Sequence, residues 1–323
     1  MRGAAWVLAL VGLVHISQGR ISLRNEADAC GCWTAEYVAL EGITVSGDLH
    51  LEFELGVIPL SSGQSLRIQL RHASGEDGSG SRWTVPQVNQ GLSRDARGNW
   101  LWRCPKGASV MLGSRISGVF APAADGQHRV RKAADGRMEV RCPHGFTYRF
   151  RGYSLDEIET GTGEVLRATG RGGVIERLVR IGADGAEEVV LDASYDRYVR
   201  LTAISIGPRH HGFEYGSETR RMEVWTSGDV SGQVTRFRYD AAGFLSCLEG
   251  ARSRAFEWAR SPVGVARVGP GAAREYRIQQ DGDLRYTYEA SDRIVTLAAI
   301  GEGGREQRLY YNTLTGNIDL FDP

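Results

Sequence analysis

The chain has 323 residues, long enough for one large elongated domain or two ordinary ones, and 41% of them are hydrophobic. Its 42 glycines against 9 prolines fit a turn-rich folded protein and argue against a disordered one. The 39 basic and 39 acidic side chains cancel and are interspersed, which leaves no basic stripe for nucleic acid or an anionic membrane.

Met1-Arg2-Gly3, the apolar run Ala4 to Val14 and the small residues Ser17 and Gly19 follow the order of a secretory signal peptide. We therefore expect residues 1–19 to be removed, a mature chain from Arg20, and delivery to the periplasm, the cell surface or the medium. An uncleaved anchor or a buried strand is the alternative. The apolar run is short for a membrane span and no later segment qualifies, so no transmembrane segment is expected after cleavage.

Export raises the disulfide question for Cys30, Cys32, Cys104, Cys142 and Cys247. Cys30 and Cys32 flank one glycine, too close to bond comfortably to each other in an extended strand. Cys104 and Cys142 sit in matched contexts, Arg103-Cys104-Pro105 and Arg141-Cys142-Pro143, where one bridge would suit adjacent hairpins. Cys247 lies in an apolar stretch and reads as a small buried hydrophobe. Cys-x-Cys with isolated cysteines lacks the spacing of structural zinc, so no metal is assigned.

Alternation of apolar and polar residues predicts strands over Asp48–Leu55 and Ser65–His72, joined by Gly56–Gln64, with an exposed loop over Ser74–Ser81. Trp83, Trp100 and Trp102 follow among Arg82, Arg94, Arg97 and Arg103. They read either as a carbohydrate platform or as core tryptophans covered by arginine stems, and the second reading is the commoner. Asp125-Gly126, Asp135-Gly136, Asp184-Gly185 and Asp281-Gly282 are repeated turn signals. Only Leu155–Thr160 and Ile175–Arg180 suggest helix, and both are short.

The common catalytic signatures are missing: the Gly-x-Ser-x-Gly elbow, the His-Glu-x-x-His helix, the phosphate loop and the calcium loop. No cofactor is implied. Asp156, Glu157 and Glu159 form an acidic cluster that offers a glycosidase pair, against the plainer reading of a solvated turn. His210-His211 cannot both face one metal if they lie on a strand, and we read them as a loop pair after Pro208.

From Tyr195 onward one short phrase recurs. Tyr195-Asp196-Arg197-Tyr198-Val199-Arg200-Leu201 and Tyr239-Asp240-Ala241-Ala242-Gly243-Phe244-Leu245 are its fullest copies, with looser ones at Tyr215, Trp258, Tyr288 and Tyr311. The copies start 20, 24, 19, 30 and 23 residues apart, the mark of one supersecondary unit stacked along the chain. Gln233–Tyr239 alternates as a strand, Asp240 to Gly243 supplies turn chemistry, and Phe244–Leu248 leaves as a second strand. Gly316 matches Gly243, whereas Val199, Arg220 and Asp292 stand where glycine would set a positive φ. Those turns must change type or carry strain.

The phrase resembles the repeat of YD-repeat proteins of the Rhs family, approximately Tyr-Asp-x-x-Gly-Arg-Leu-Thr, over about residues 187–323. The resemblance implies β-hairpins strung into a long sheet that spirals into a shell, often around a toxic C-terminal domain. This chain departs from that pattern, having room for little of such a sheet and ending at Asp322-Pro323 without the core segment or a toxin-sized domain. It reads as a short divergent member.

The expected architecture is all-β: a β-rich region over 20–118, then an antiparallel sheet of repeat hairpins over 119–323 with its tyrosines on one face. The expected function is an exported, non-catalytic scaffold, surface or shell component. Its partners would be other proteins or cell-surface polysaccharide. A carbohydrate-binding module, and then a glycoside hydrolase with a dispersed site, are the alternatives.

Overall fold

A computed structural model describes the backbone of residues 21–23, 38–40 and 43–44, residues 49–260 except for a few turn positions, and strands between 276 and 321; side chains are described mainly between Leu49 and Trp258. Cys30, Cys32 and Gly316 lie outside the described residues, as do the expected leader, Asp292 and the side chains of Tyr288 and Tyr311.

The fold is all-β and antiparallel, as its patterning predicts. From Ala121–Pro122 to Ile318–Phe321 every strand pairs antiparallel with the next, so the chain forms one long meander. Strands form where alternation lets one face be buried: Ile204 and Ile206 are buried along Leu201–Ile206, and Tyr148 and Phe150 along Thr147–Arg151. Ser154–Glu159 and Val174–Ile181 are strands, not helices. Their cross-strand partners bury Leu155, Ile158 and Leu178, and tertiary pairing overrides a short helical pattern.

One turn recurs along the meander. In the copy at Asp240, the Asp240 N–H bonds the Phe244 carbonyl (2.9 Å) and the Gly243 N–H bonds the Asp240 carbonyl (3.0 Å). Gly243 then takes φ 90°, a type I turn closed by a left-handed residue. Matching bonds close the turns at Asp95, Ala133, Cys142, Thr160, Gly182 and Asp196, and a loop one residue longer closes at Ala123. The aspartate has a local task. Asp196 Oδ1 accepts the Tyr198 and Arg200 N–H groups (2.8 and 3.0 Å), and Asp240 Oδ1 accepts that of Phe244 (2.8 Å).

Two N-terminal units join this meander. The hairpins Gly91–Arg94, Trp100–Arg103 and Ser109–Gly113 attach where Gly91 pairs with Ser154 and the Leu92 N–H bonds the Tyr153 carbonyl (2.9 Å). His50–Pro59, Ser65–Ser74 and Ser81–Thr84 form a separate three-stranded sheet. Its first strand runs on through a bulge at Glu54/Gly56 to Pro59, so the connection expected from Gly56 begins only at Leu60. This sheet lies across the repeat meander. Phe53 meets Trp225 at 5.2 Å, Trp83 meets Phe237 at 4.4 Å, and the buried His211 bonds the Leu55 carbonyl through Nε2 (2.7 Å). The approach is tight enough that a Cβ on Gly56 would sit 2.9 Å from Ile206 Cγ2, so any larger residue would push Ile206 aside. Ser61 bonds Glu164 through both its N–H (2.7 Å) and its hydroxyl (2.6 Å), at the far end of the same contact.

Candidate functional site

Four repeats open on an aromatic residue at a bulge, whereas the ladders at Tyr288 and Tyr311 run on without one. The ladder slips between Ser194 and Tyr195, Glu214 and Tyr215, Arg238 and Tyr239, and Glu257 and Trp258. A bulge turns the side chain away from the strand's own alternation, and here it aims the ring at the preceding repeat. Tyr215 OH donates to the Leu201 carbonyl (2.9 Å), Tyr239 OH to that of Met222 (2.5 Å), and Trp258 Nε1 to that of Leu245 (2.8 Å). Leu201, Met222 and Leu245 are the ladder partners of Tyr195, Tyr215 and Tyr239, so each head group latches the unit before it. Tyr195 does the same to Ile175 (2.9 Å). Burial pushes all three tyrosine hydroxyls well above the usual phenol range, which keeps them protonated donors.

A second contact accompanies the first. The residue just before the latched carbonyl stacks on the incoming ring: the Arg200 guanidinium 4.6 Å from Tyr215, Arg221 5.5 Å from Tyr239, and Phe244 4.8 Å from Trp258. The repeat tyrosines therefore couple neighbours through backbone and guanidinium. Among the described residues no ring of Tyr195, Tyr215 or Tyr239 stacks on another.

Beside this ladder, where the N-terminal sheet overlies the repeats, lies a groove of about 660 Å³. Trp83, Val88 and Val174 line its inner part together with Tyr195 and Tyr215; Tyr198, Val199 and the arginines 82, 200, 220 and 221 rim it. Val199 (φ 61°) and Arg220 (φ 56°) are the positive-φ non-glycine residues among those described, and both stand on this rim. A left-handed β-branched or bulky residue costs on the order of 1–3 kcal/mol relative to glycine. Asp196 holds Arg200 at 2.6 Å. Burial would raise the Asp196 carboxyl, but bonds from the Arg200 backbone and side chain outweigh it and hold the group below its usual range. Arg82, Arg220 and Arg221 have no carboxylate within ion-pair distance among the described residues.

The tryptophans stand apart. Trp102 is fully buried against Tyr148 (5.0 Å) and His128 (5.4 Å). Trp83 is half-buried, and its Nε1 donates to Tyr239 OH (3.1 Å). Trp100 lies under the Arg94 guanidinium (4.2 Å) at a different cavity of about 550 Å³.

The acidic cluster is engaged by arginine. Asp156 and Glu157 bond Arg137, and Glu159 bonds Arg149, which also reaches Glu139 (3.0 Å). Each carboxylate thus sits in a cross-strand ion-pair lattice. His210 is exposed and bonds Ser205 Oγ (2.7 Å), while His211 is buried, because the pair lies on the strand Arg209–Tyr215 and not in a loop. Among the described residues no disulfide joins Cys104 and Cys142, which are both buried; the Cys247 thiol donates to the Leu248 carbonyl (3.6 Å). No described helix is long and apolar enough to cross a membrane. Tyr198 and Arg200 fall within the quoted repeat and Arg220 at a lost glycine, but no motif marks these residues or Arg221 as a binding site. The one sequence signal of such a site is the loss of glycine at Val199 and Arg220.

No protein-family model and no curated protein matches the chain. Solved structures similar to it include TcdB2-TccC3, at 11% identity and a TM-score of 0.39 over 86% of this chain. The Photorhabdus luminescens Tc holotoxin pore is similar at 10% identity, with the same TM-score and coverage. The chain spans only 16% and 15% of the length of those chains.

Proposed function

We propose that this is an exported, non-catalytic β-repeat scaffold, a divergent relative of YD-repeat proteins, that presents a sheet surface to protein partners. In this reading residues 1–19 direct export, 20–118 supply the overlying N-terminal region, and 119–323 form the repeat sheet. The observation that carries it is the latch: every described repeat aromatic is committed to holding the unit before it, a use of side chains that serves architecture. Supporting it, the carboxylates that would have to act as glycosidase acid and nucleophile are tied to Arg137 and Arg149. Amino-terminal sequencing of protein recovered outside the cytoplasm is expected to read Arg-Ile-Ser-Leu from Arg20. Asp156→Asn and Glu159→Gln are expected to leave polysaccharide cleavage absent, as in the parent chain; cleavage by the parent that either variant abolishes would move the chain to the glycosidases.

A carbohydrate-binding reading has one observation in its favour, the half-buried Trp100 at its own cavity with Lys132 and Arg94 beside it. A glycan array on the mature chain and on Trp100→Ala tests it.

A further inference from the structure

The turns around the groove are built from residue types that folding does not ask for. Gly243 shows that glycine takes the left-handed position of this repeat, yet Val199 and Arg220 hold it here at φ 61° and 56°. Val199 gains no burial for its strain, and Arg220 gains only a place over the exposed Tyr198 ring at 5.4 Å. Val199 is 52% exposed, and Arg220 has no ion pair among the described residues. Backbone strain kept at two places on one groove points to a surface whose side chains are wanted for something outside the fold.

The chemistry of that surface is cationic and pre-oriented. Arg197, Arg200 and Arg220 crowd the exposed ring of Tyr198 at 4.7, 5.2 and 5.4 Å, and Arg221 lies on Tyr239. A guanidinium stacked on a ring keeps its N–H edge free for a carboxylate, to which it bonds in bidentate fashion. Asp196 answers Arg200 alone, and Glu223 is turned to the Thr219 hydroxyl (3.2 Å). Among the described residues no carboxylate pairs with Arg82, Arg220 or Arg221, which stand above an interior of valine and leucine.

We infer that this groove docks an acidic peptide segment of a partner protein, with carboxylates on Arg82, Arg220 and Arg221 and an apolar side chain directed toward Val88 and Val174. A sugar fits less well. The hydroxyls of Tyr195 and Tyr215 and the Trp83 indole are already bonded within the protein, and the ring of Tyr198 is covered by guanidinium, so no bare aromatic platform remains. The inference rests on the scaffold reading in that the peptide is bound and not turned over.

The test is selection of a displayed random dodecapeptide library on the full mature chain and, in parallel, on the Arg220→Ala/Arg221→Ala double variant, with oligogalacturonate as the glycan arm. The expected result is enrichment, on the parent chain alone, of peptides carrying Asp or Glu around an aliphatic or aromatic residue. A synthetic peptide from that pool should bind at least about tenfold more weakly to the double variant, and more weakly as salt rises, at a temperature where both chains are folded. Val199→Gly is expected to raise the melting temperature yet weaken the same peptide severalfold, an opposition that a merely structural residue would not show. No acidic enrichment, equal enrichment on the double variant, or binding of oligogalacturonate alone each overturns the inference and leaves the scaffold reading standing. Cleavage of a bound peptide would instead overturn the scaffold reading and keep the groove.

Discussion

The turn after Tyr195 and the turn after Tyr239 are two copies of one device, and they differ in where free energy is placed. The Tyr239 turn has Gly243 at the left-handed position, where the Arg221 side chain lies over it, and the adjoining Tyr239 hydroxyl serves both Trp83 and Met222. The Tyr195 turn keeps the aspartate and its bonds but puts a strained, exposed valine in glycine's place. A repeat unit can therefore shed part of its local stability without losing its fold, because the latch to the previous unit supplies register independently of the turn. Where the turn is relaxed the unit is structural; where it is strained the unit lines a groove.

The largest expected effect falls on the Tyr239 side. His72 is buried, stacks on Trp83 at 4.8 Å and gives one ring nitrogen to the Leu49 carbonyl (3.1 Å). Desolvation lowers its pKa from 6.5 to about 4 despite that bond. The unfolded chain therefore binds a proton before the folded one does, and stability is lost as pH falls from 6.5 toward 4, by about 3 kcal/mol in all. Denaturant melts across that range should show the slope, and His72→Leu should flatten it.

Gly243→Val is expected to cost about 2 kcal/mol or more, since it sets a β-branched residue at φ 90° and displaces Arg221 from its place over Tyr239. An unchanged melting temperature would mean the two turns do not differ as described. Tyr239→Phe should cost more than Tyr215→Phe, about 2 against about 1 kcal/mol, because it leaves both the Trp83 indole and the Met222 carbonyl without their bond. The smallest effect has the opposite sign. Val199→Gly should stabilise by up to about 1 kcal/mol, read by the same melts, since glycine takes this φ freely.

Much of the architecture was legible because its causes are local. Period-two alternation marks strands such as Ser65–Ser74, and Asp240 with Gly243 specifies a turn whose bonds all lie within five residues. Even the strain at Val199 and Arg220 could be read from the glycine each replaces. The groove and the latch were not legible, because their causes are distant. Trp83 meets Tyr239 across 156 residues of chain, and no spacing in the sequence announces that pairing. Ser154–Glu159 and Val174–Ile181 show the same limit from the other side: a short run of mixed polarity takes its conformation from the strand beside it.

The latch also has a direction. Each ring reaches backward along the chain, from Tyr195 to Ile175, Tyr215 to Leu201, Tyr239 to Met222 and Trp258 to Leu245, so its donor is met by a repeat made earlier. A polypeptide emerging from a ribosome or a translocon amino end first would find every docking carbonyl already in place when the ring that needs it appears. Assembly in that order proceeds like a ratchet, each unit closing on the last without waiting for sequence still to come.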